Sequence, residues 1–404
     1  MTDAAEPGRG MLALLVDRNF GPFMAGRLLS SSGMWMQNLA AAVLMFHLTE
    51  SAVMVGAVSA LQFLPLLVFS LWAGALTDRM NRRRLLLSGR ILSGVTLAGL
   101  GSLILLRGTD GFGGPPVLLA AVFVMGLGFS VSGPAMHALV PALVPPAELE
   151  RALALNSMAP GVGRTAGPAL AGLVLVAGGP GIAFLLAAAF HLMYVAVLLA
   201  IKDRGHEREA GTPALLGGLR YLWDDRTAGA LMLGVGLLSF GADPAVTLTP
   251  SVAAELGRGD DVVGYLASGF GLGALIAIPA FGAMRKRMTL RLTGMTGFLG
   301  LGAGTAVVAL SPNVSGAITG FFIAGMGLIL GQISLTTRIQ RRVPDRLRGR
   351  VMAMWTLAWL GTRPIAAMVN GLLADLVSLR VALLVAASVS AGASMISRIR
   401  YRDA

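Results

Sequence analysis

The sequence predicts an all-α membrane protein of about twelve transmembrane helices arranged as two six-helix, pseudo-symmetric bundles. Three observations predict it. Apolar residues fall in blocks of membrane-spanning length, positive charge gathers on alternate connections, and the second half of the chain repeats part of the first.

The blocks come first. Of 404 residues, 55% are hydrophobic and only 13% charged, whereas a soluble domain carries about 25% charged residues. Crossing roughly 30 Å of hydrocarbon takes about 20 apolar residues. Blocks of that size lie at 21–46, 52–76, 85–106, 117–139, 153–178, 181–201, 228–250, 262–283, 292–311, 314–336, 351–374 and 380–397. They are too long and too uniform for barrel strands, which alternate. Helices then follow, because lipid offers no partner to backbone polar groups.

The net charge of +12 could suggest nucleic acid, but its placement argues against a soluble nucleic-acid binder. With the N-terminus inside, 26 of the 32 basic residues lie in or beside cytoplasmic segments. Arg107, Arg258 and Arg380 fall outside, and Arg27, Arg164 and Arg363 fall within spans. This positive-inside bias places both termini in the cytoplasm. The chain has no cysteine, hence no disulfide, thiolate metal site or catalytic thiol. Neither Lys202 nor Lys286 sits in a phosphate-cradling loop, and His47, His137, His191 and His206 lack metal-ligand spacing. No cofactor, metal or enzymatic activity is expected. Residues 1–20 are polar, and the first apolar block is long enough to stay as a helix.

The repeat supplies the domain organisation. Residues 144–172 read VPPAELERALALNSMAPGVGRTAGPALAG, and residues 343–371 read VPDRLRGRVMAMWTLAWLGTRPIAAMVNG. At one offset of 199, Pro145 meets Pro344, Arg151 meets Arg350, Ala154 meets Ala353, Arg164 meets Arg363 and Gly172 meets Gly371. The expected units are an N-terminal bundle (1–201), a cytoplasmic linker (202–227) and a C-terminal bundle (228–404). The linker is polar and Gly/Pro-punctuated. From Pro213 it reads either as a short amphipathic helix on the membrane surface or as a mere tether.

After the second span comes GALTDRMNRRR at 74–84. This resembles the signature loop of the major facilitator superfamily: a Gly, an Asp-Arg four residues on, a turn residue and a basic cluster. The resemblance implies a conformational latch built on Gly74, Asp78, Arg79, Arg82 and Arg83. Gly74 would permit close helix approach, and Asp78 would accept hydrogen bonds from a helix N-terminus and an arginine. Asn81 stands where the family usually has Gly, as the next best residue at positive φ. A loop that only sets topology is the competing account. The counterpart GAMRKR at 282–287 lacks the acid.

In predicted helix five, GRTAGPALAG at 163–172 resembles the superfamily's antiporter motif. Gly163, Gly167 and Gly172 suit close helix packing, and Pro168 permits a bend. Ordinary small-residue packing is the alternative. The phrases SGMWMQ (32–37), QFLP (62–65) and GGLRYL (217–222) resemble a bacterial subgroup of enterobactin-exporter-like and macrolide-efflux-like proteins. That resemblance implies a multi-pass protein of the bacterial inner membrane, monomeric, exporting a small molecule such as a drug, siderophore or other secondary metabolite in exchange for protons. Import or uniport on the same fold, and a non-transporting receptor, are the other classes.

Polar residues inside spans mark candidate sites. Arg164 and Arg363 lie roughly 16–18 Å into their helices at 1.5 Å per residue. Gln37, Asn38, Gln62, Gln332 and Asn370 add neutral hydrogen-bonding capacity. The fold resembled lines its cavity with helices one and seven, which favours Gln37, Asn38 and Asp243 as cavity residues. Asp243 is the expected proton carrier, with Pro244 loosening helix seven. It could instead pair with a buried arginine or sit nearer the outer surface.

Overall fold

The computed structural model describes residues 11–79, 81–201 and 215–398, and every regular element among them is helical. A short α1 (Met11–Leu15) precedes α2 (Phe20–Thr49), α3 (Ala52–Arg79), α4 (Arg82–Gly111) and α5 (Gly114–Ala138). Next comes the double-length α6 (Leu149–Ala200), then α7 (Leu215–Asp224), α8 (Arg226–Ala242), α9 (Pro244–Thr247) and α10 (Thr249–Glu255). The last five are α11 (Asp260–Arg285), α12 (Leu290–Leu310), α13 (Val314–Arg342), α14 (Asp345–Leu376) and α15 (Leu379–Ala393).

These helices make twelve passes among the described residues. Nine are long and apolar enough to cross a membrane by composition alone. One of the nine is α6, which counts twice. Gly179 leaves the helical region there at φ 73°, with Pro180 directly after it, and only glycine adopts that backbone freely. The remaining two passes, α2 and α14, have the right length but carry more polar residues. Nine, one and two make twelve, with both ends of the described residues on one face, called here the terminal face.

Helix starts follow local chemistry. Thr289, Asn313 and Ser378 each accept a hydrogen bond from a backbone N–H in the first turn of α12, α13 and α15, which satisfies donors a helix leaves orphaned. Asn81 works the same way. It is not the left-handed residue the sequence predicts: at φ −65° and ψ 117° it caps α4, accepting from the N–H groups of Arg83 and Arg84. A cap needs extended backbone, and Asn serves there better than Gly.

Packing sorts the helices into two groups. In the first, α2 lies along α6, α4 along α5 and α6, and α3 along α5. In the second, α13 joins α11 and α12, while α8 contacts α13, α14 and α15. Two seams join the groups, α3 against α14 and α6 against α11. Glycine makes contact possible within the groups as well: a Cβ on Gly297 would fall 2.7 Å from the Gly331 Cα.

Of the predicted linker, residues 202–214 lie outside the described residues, and 215–224 form the amphipathic α7. Its end is bolted down. The Tyr221 hydroxyl donates to Asp225 Oδ2 (3.1 Å), and Arg342 Nε donates to the same oxygen (2.6 Å). Asp225 Oδ1 accepts from the N–H groups of Thr227 and Ala228, capping α8. Burial acts to raise the Asp225 carboxyl, but the Arg342 hydrogen bond, the Ala228 N–H and the Arg342 charge outweigh it and hold the group below the usual carboxylate range. Asp225→Asn should therefore cost about 1–2 kcal/mol of stability at neutral pH. Because the folded group titrates below the unfolded one, that difference should shrink as pH falls below about 4. Thermal unfolding of both proteins across pH checks this; a difference that persists unchanged in acid would refute it.

Candidate functional site

At mid-depth the two groups of helices meet around a small cluster of cationic, aromatic and polar side chains. Arg164 comes from α6 and Arg363 from α14, and each reaches into the opposite group. The Arg164 guanidinium lies over the Trp359 ring at 5.0 Å and donates to Gln332 Oε1. The Arg363 guanidinium lies over Trp35 at 4.7 Å and Phe63 at 5.7 Å. Both arginines are buried. A desolvated guanidinium on an aromatic face gains about 2 kcal/mol, which offsets only part of its dehydration. Nε of Arg363 finds no hydrogen-bond partner. Trp355 stacks on Trp359 with centroids 5.8 Å apart, and the Trp359 carbonyl accepts from Ser239 Oγ of α8.

Asp243 sits beside this cluster, fully buried at the junction between α8 and α9. Pro244 starts the next short segment, and the hydrogen-bond register shifts there, Asp243 N–H donating to the Phe240 carbonyl while Asp243 itself keeps helical φ −61° and ψ −39°. Asn370 Nδ2 donates to Asp243 Oδ2 (2.9 Å), and the Thr247 hydroxyl donates to Oδ1 (3.1 Å). No ion pair within 4.0 Å joins Asp243 to either arginine among the described residues. Its hydrogen-bond partners are neutral, and the Arg363 charge acts on it from beyond that distance. The space enclosed by Trp35, Arg164, Pro168, Phe270, Leu328 and Arg363 is about 10 Å³, room for about one water.

The face opposite the terminal face is sealed at both seams. On one, Asp375 at the end of α14 receives three hydrogen bonds from the start of α3: Ser51 Oγ (2.6 Å), Ala52 N–H (2.8 Å) and Val53 N–H (3.0 Å). A carboxylate at a helix N-terminus meets both orphan donors and the positive end of the dipole. Gly371 lies beneath it, where a Cβ would fall 2.6 Å from the Ala52 carbonyl oxygen, and Gly56 faces the Ala367 backbone. On the other seam Gly172 and Gly264 meet backbone to backbone, with 2.7 Å between a Cβ built on Gly264 and the Gly172 Cα.

The other predicted residues divide as follows. Gly163 and Gly167 face α2 within their own group, against Ser31 and against Ser32 and Trp35; Gly172 alone of the three faces the other group. Gln37 and Asn38 are buried on α2, each with an unpartnered side-chain oxygen, and neither borders the central space. Arg83 donates from Nε and Nη2 to the Leu198 and Leu199 carbonyls, a cation at the C-terminal end of α6. The side chains of Gly74, Asp78, Arg79 and Arg82 lie outside those described. Trp359, Phe63, Thr247, Gly264 and the capping role of Asp375 escape the sequence reading. The i, i+4 spacing of Trp355, Trp359 and Arg363 is the pattern that could have found the first. Arg90 and Arg338, expected on the basic face, are buried instead.

A family model described as transmembrane secretion effector matches residues 10–403. The enterobactin exporter EntS of Shigella boydii serotype 18 is 28% identical over 294 residues, covering 70% of this chain and 68% of that protein. EntS of Shigella boydii serotype 4 is 27% identical over 348 residues, covering 83% and 80%. Among solved structures, a bacterial homolog to the human lysosomal transporter Spinster, inward-facing and occupied, superposes with a TM-score of 0.75 at 14% identity, covering 96% of this chain and 100% of that one. The nucleoside transporter NupG gives 0.71 at 13% identity, covering 93% and 97%. The structural likenesses speak for the fold.

If the Asp375 cap holds the seal, Asp375→Ala should shift the population toward forms open on that face by about tenfold, the effect of a charge at a partly buried helix terminus. The chain has no cysteine, so spin labels on cysteines introduced at Leu106 and Leu310 report on that face directly. Distances should lengthen in the variant; an unchanged distribution would remove Asp375 from the seal.

Proposed function

The chain belongs to the transmembrane secretion effector family of the major facilitator superfamily, and from that premise we propose that it is a proton-coupled exporter of a small molecule. It is a multi-pass membrane transporter; direction, coupling ion and substrate class are the proposal. The observation that carries it is the crossed pair of arginines, each laid on an aromatic ring of the other bundle. Separation of the bundles exposes two planar cations and the rings beneath them, a surface suited to a partly apolar or anionic molecule. Siderophores, drugs and other secondary metabolites are the proposed cargo, in keeping with the relatives named as enterobactin exporters.

The terminal face, where the basic residues gather, is assigned to the cytoplasm of a bacterial inner membrane. The sealed face is then external. Asp243 is the proposed proton carrier. It is buried, held by two neutral donors, and placed where the register of the seventh helix shifts. A proton taken from outside would cancel its charge before the bundles close again, and movement of α9 against Asn370 would release it inward. Gln37 and Asn38 are proposed to act in forms other than this one, and Gly74, Asp78, Arg79, Arg82 and Arg83 as a latch that holds one conformation shut. A monomer suffices, since the site is complete within one chain. Import on the same fold is the second reading; the motif at Gly163, Gly167, Pro168 and Gly172 favours export.

Proteoliposomes loaded with enterobactin as the first probe test this. Asp243→Asn should abolish substrate-driven proton movement while keeping substrate binding, and coupled flux at the wild-type rate would remove Asp243 from the mechanism. Arg164→Lys and Arg363→Lys should retain part of the flux and the Ala variants almost none, because Lys keeps the charge but loses the planar fork. Normal flux through both Ala variants would contradict the arginine site.

A further inference from the structure

A second open space lies away from the central one. A groove of about 520 Å³ runs between α7, α8 and α14 on the terminal side. It is far larger than a packing gap, given the roughly 30 Å³ a water takes up in the liquid. Leu222, Met232, Leu237, Phe240, Ala358 and Thr362 form its walls. Its mouth is apolar and open: Leu219 is 52% exposed, Trp223 84% and Leu233 60%. Ile365, two residues past Arg363 on α14, is 61% exposed, which marks this side as lipid-facing. Water would be a poor occupant of such a surface, and acyl chains are what surround it.

The rim adds charge. Arg226 precedes Leu233 by seven residues and so lies on the same helical face, two turns nearer the terminal side. Arg220 follows Leu219 on α7; its contact with Asp224, at 3.9 Å, is solvent-exposed and weak. Two exposed guanidinium groups thus stand at the polar end of an apolar groove, with an exposed tryptophan at the level where such rings sit in an interface. Behind the groove, Phe240 lies three residues before Asp243, and Ala358 one residue before Trp359.

We propose that this groove binds one anionic phospholipid, its acyl chain between α8 and α14 and its phosphate on Arg220 and Arg226. The lipid completes the packing behind the central cluster and holds α7 against the membrane. This site requires no particular direction or coupling of transport.

Native mass spectrometry of the detergent-purified protein, offered phosphatidylglycerol or phosphatidylcholine with the same chains, tests it. The wild type should retain one phosphatidylglycerol about 25-fold better than phosphatidylcholine. Arg220→Ala with Arg226→Ala should erase that preference, since each basic residue near anionic lipid contributes about a fivefold change in affinity. These two positions are exposed, so the fold is not at risk. Ala358→Phe, checked by its melting profile, should displace both lipids by filling the groove. Equal retention of the two lipids by the wild type, or full retention by Ala358→Phe, would overturn the proposal. So would a wild-type dimer that Ala358→Phe converts to monomers, which would make the groove an interface between copies.

Discussion

Two buried cations, each anchored in one bundle and resting on an aromatic ring of the other, set the terms for the rest of this molecule. Arg164 and Arg363 occupy equivalent positions of the internal repeat and meet Trp359 and Trp35 across the divide. Neither has a carboxylate within ion-pairing distance among the described residues. Such groups are expensive in hydrocarbon, so the bundles must close tightly around them to exclude lipid and place rings, Gln332 and neighbouring dipoles within reach. The glycine seams accomplish that closure. Gly172 and Gly371, also equivalent in the repeat, end the two copies at the two seams.

Asymmetry enters where the repeat is broken. Gly172 meets another glycine of α11, with no charge at the contact. Gly371 lies under Asp375, whose carboxylate caps a helix of the opposite bundle. One seam therefore rests on shape alone and the other on shape plus electrostatics. A similar contrast holds at the centre, where the seventh pass carries Asp243 and a register shift at Pro244 while the first, α2, is continuous through Trp35, Gln37 and Asn38.

Much of this was legible from residue order. Apolar block length gave the number of passes, because the bilayer sets a fixed requirement. The offset of 199 pairs Arg164 with Arg363 from residue order alone, and Pro244 marks the register shift beside Asp243. Partners across the seams were not legible. Nothing in the order of residues says that Gly172 meets Gly264, or that Asp375 turns toward the start of α3 and not toward water. Asn81 shows the limit of a single-residue rule: it suits positive φ and helix capping alike, and only the onset of α4 decides. The sites even left a compositional trace. Just the two helices that supply Trp35, Asn38, Arg363 and Asn370 fall below the apolarity of the other passes.

The Asp375 cap has one more implication. α3 begins with N–H groups and a hydroxyl whose acceptor belongs to the other bundle. When the bundles part on that face, Ser51, Ala52, Val53 and the freed carboxylate must each recruit water, as must the glycine-lined seam beneath them. Opening is thus a hydration reaction as well as a rocking motion, and solutes excluded from protein surfaces oppose it by lowering water activity. The conformational balance of this transporter is thereby tied to the osmotic state of the compartment that the sealed face looks onto.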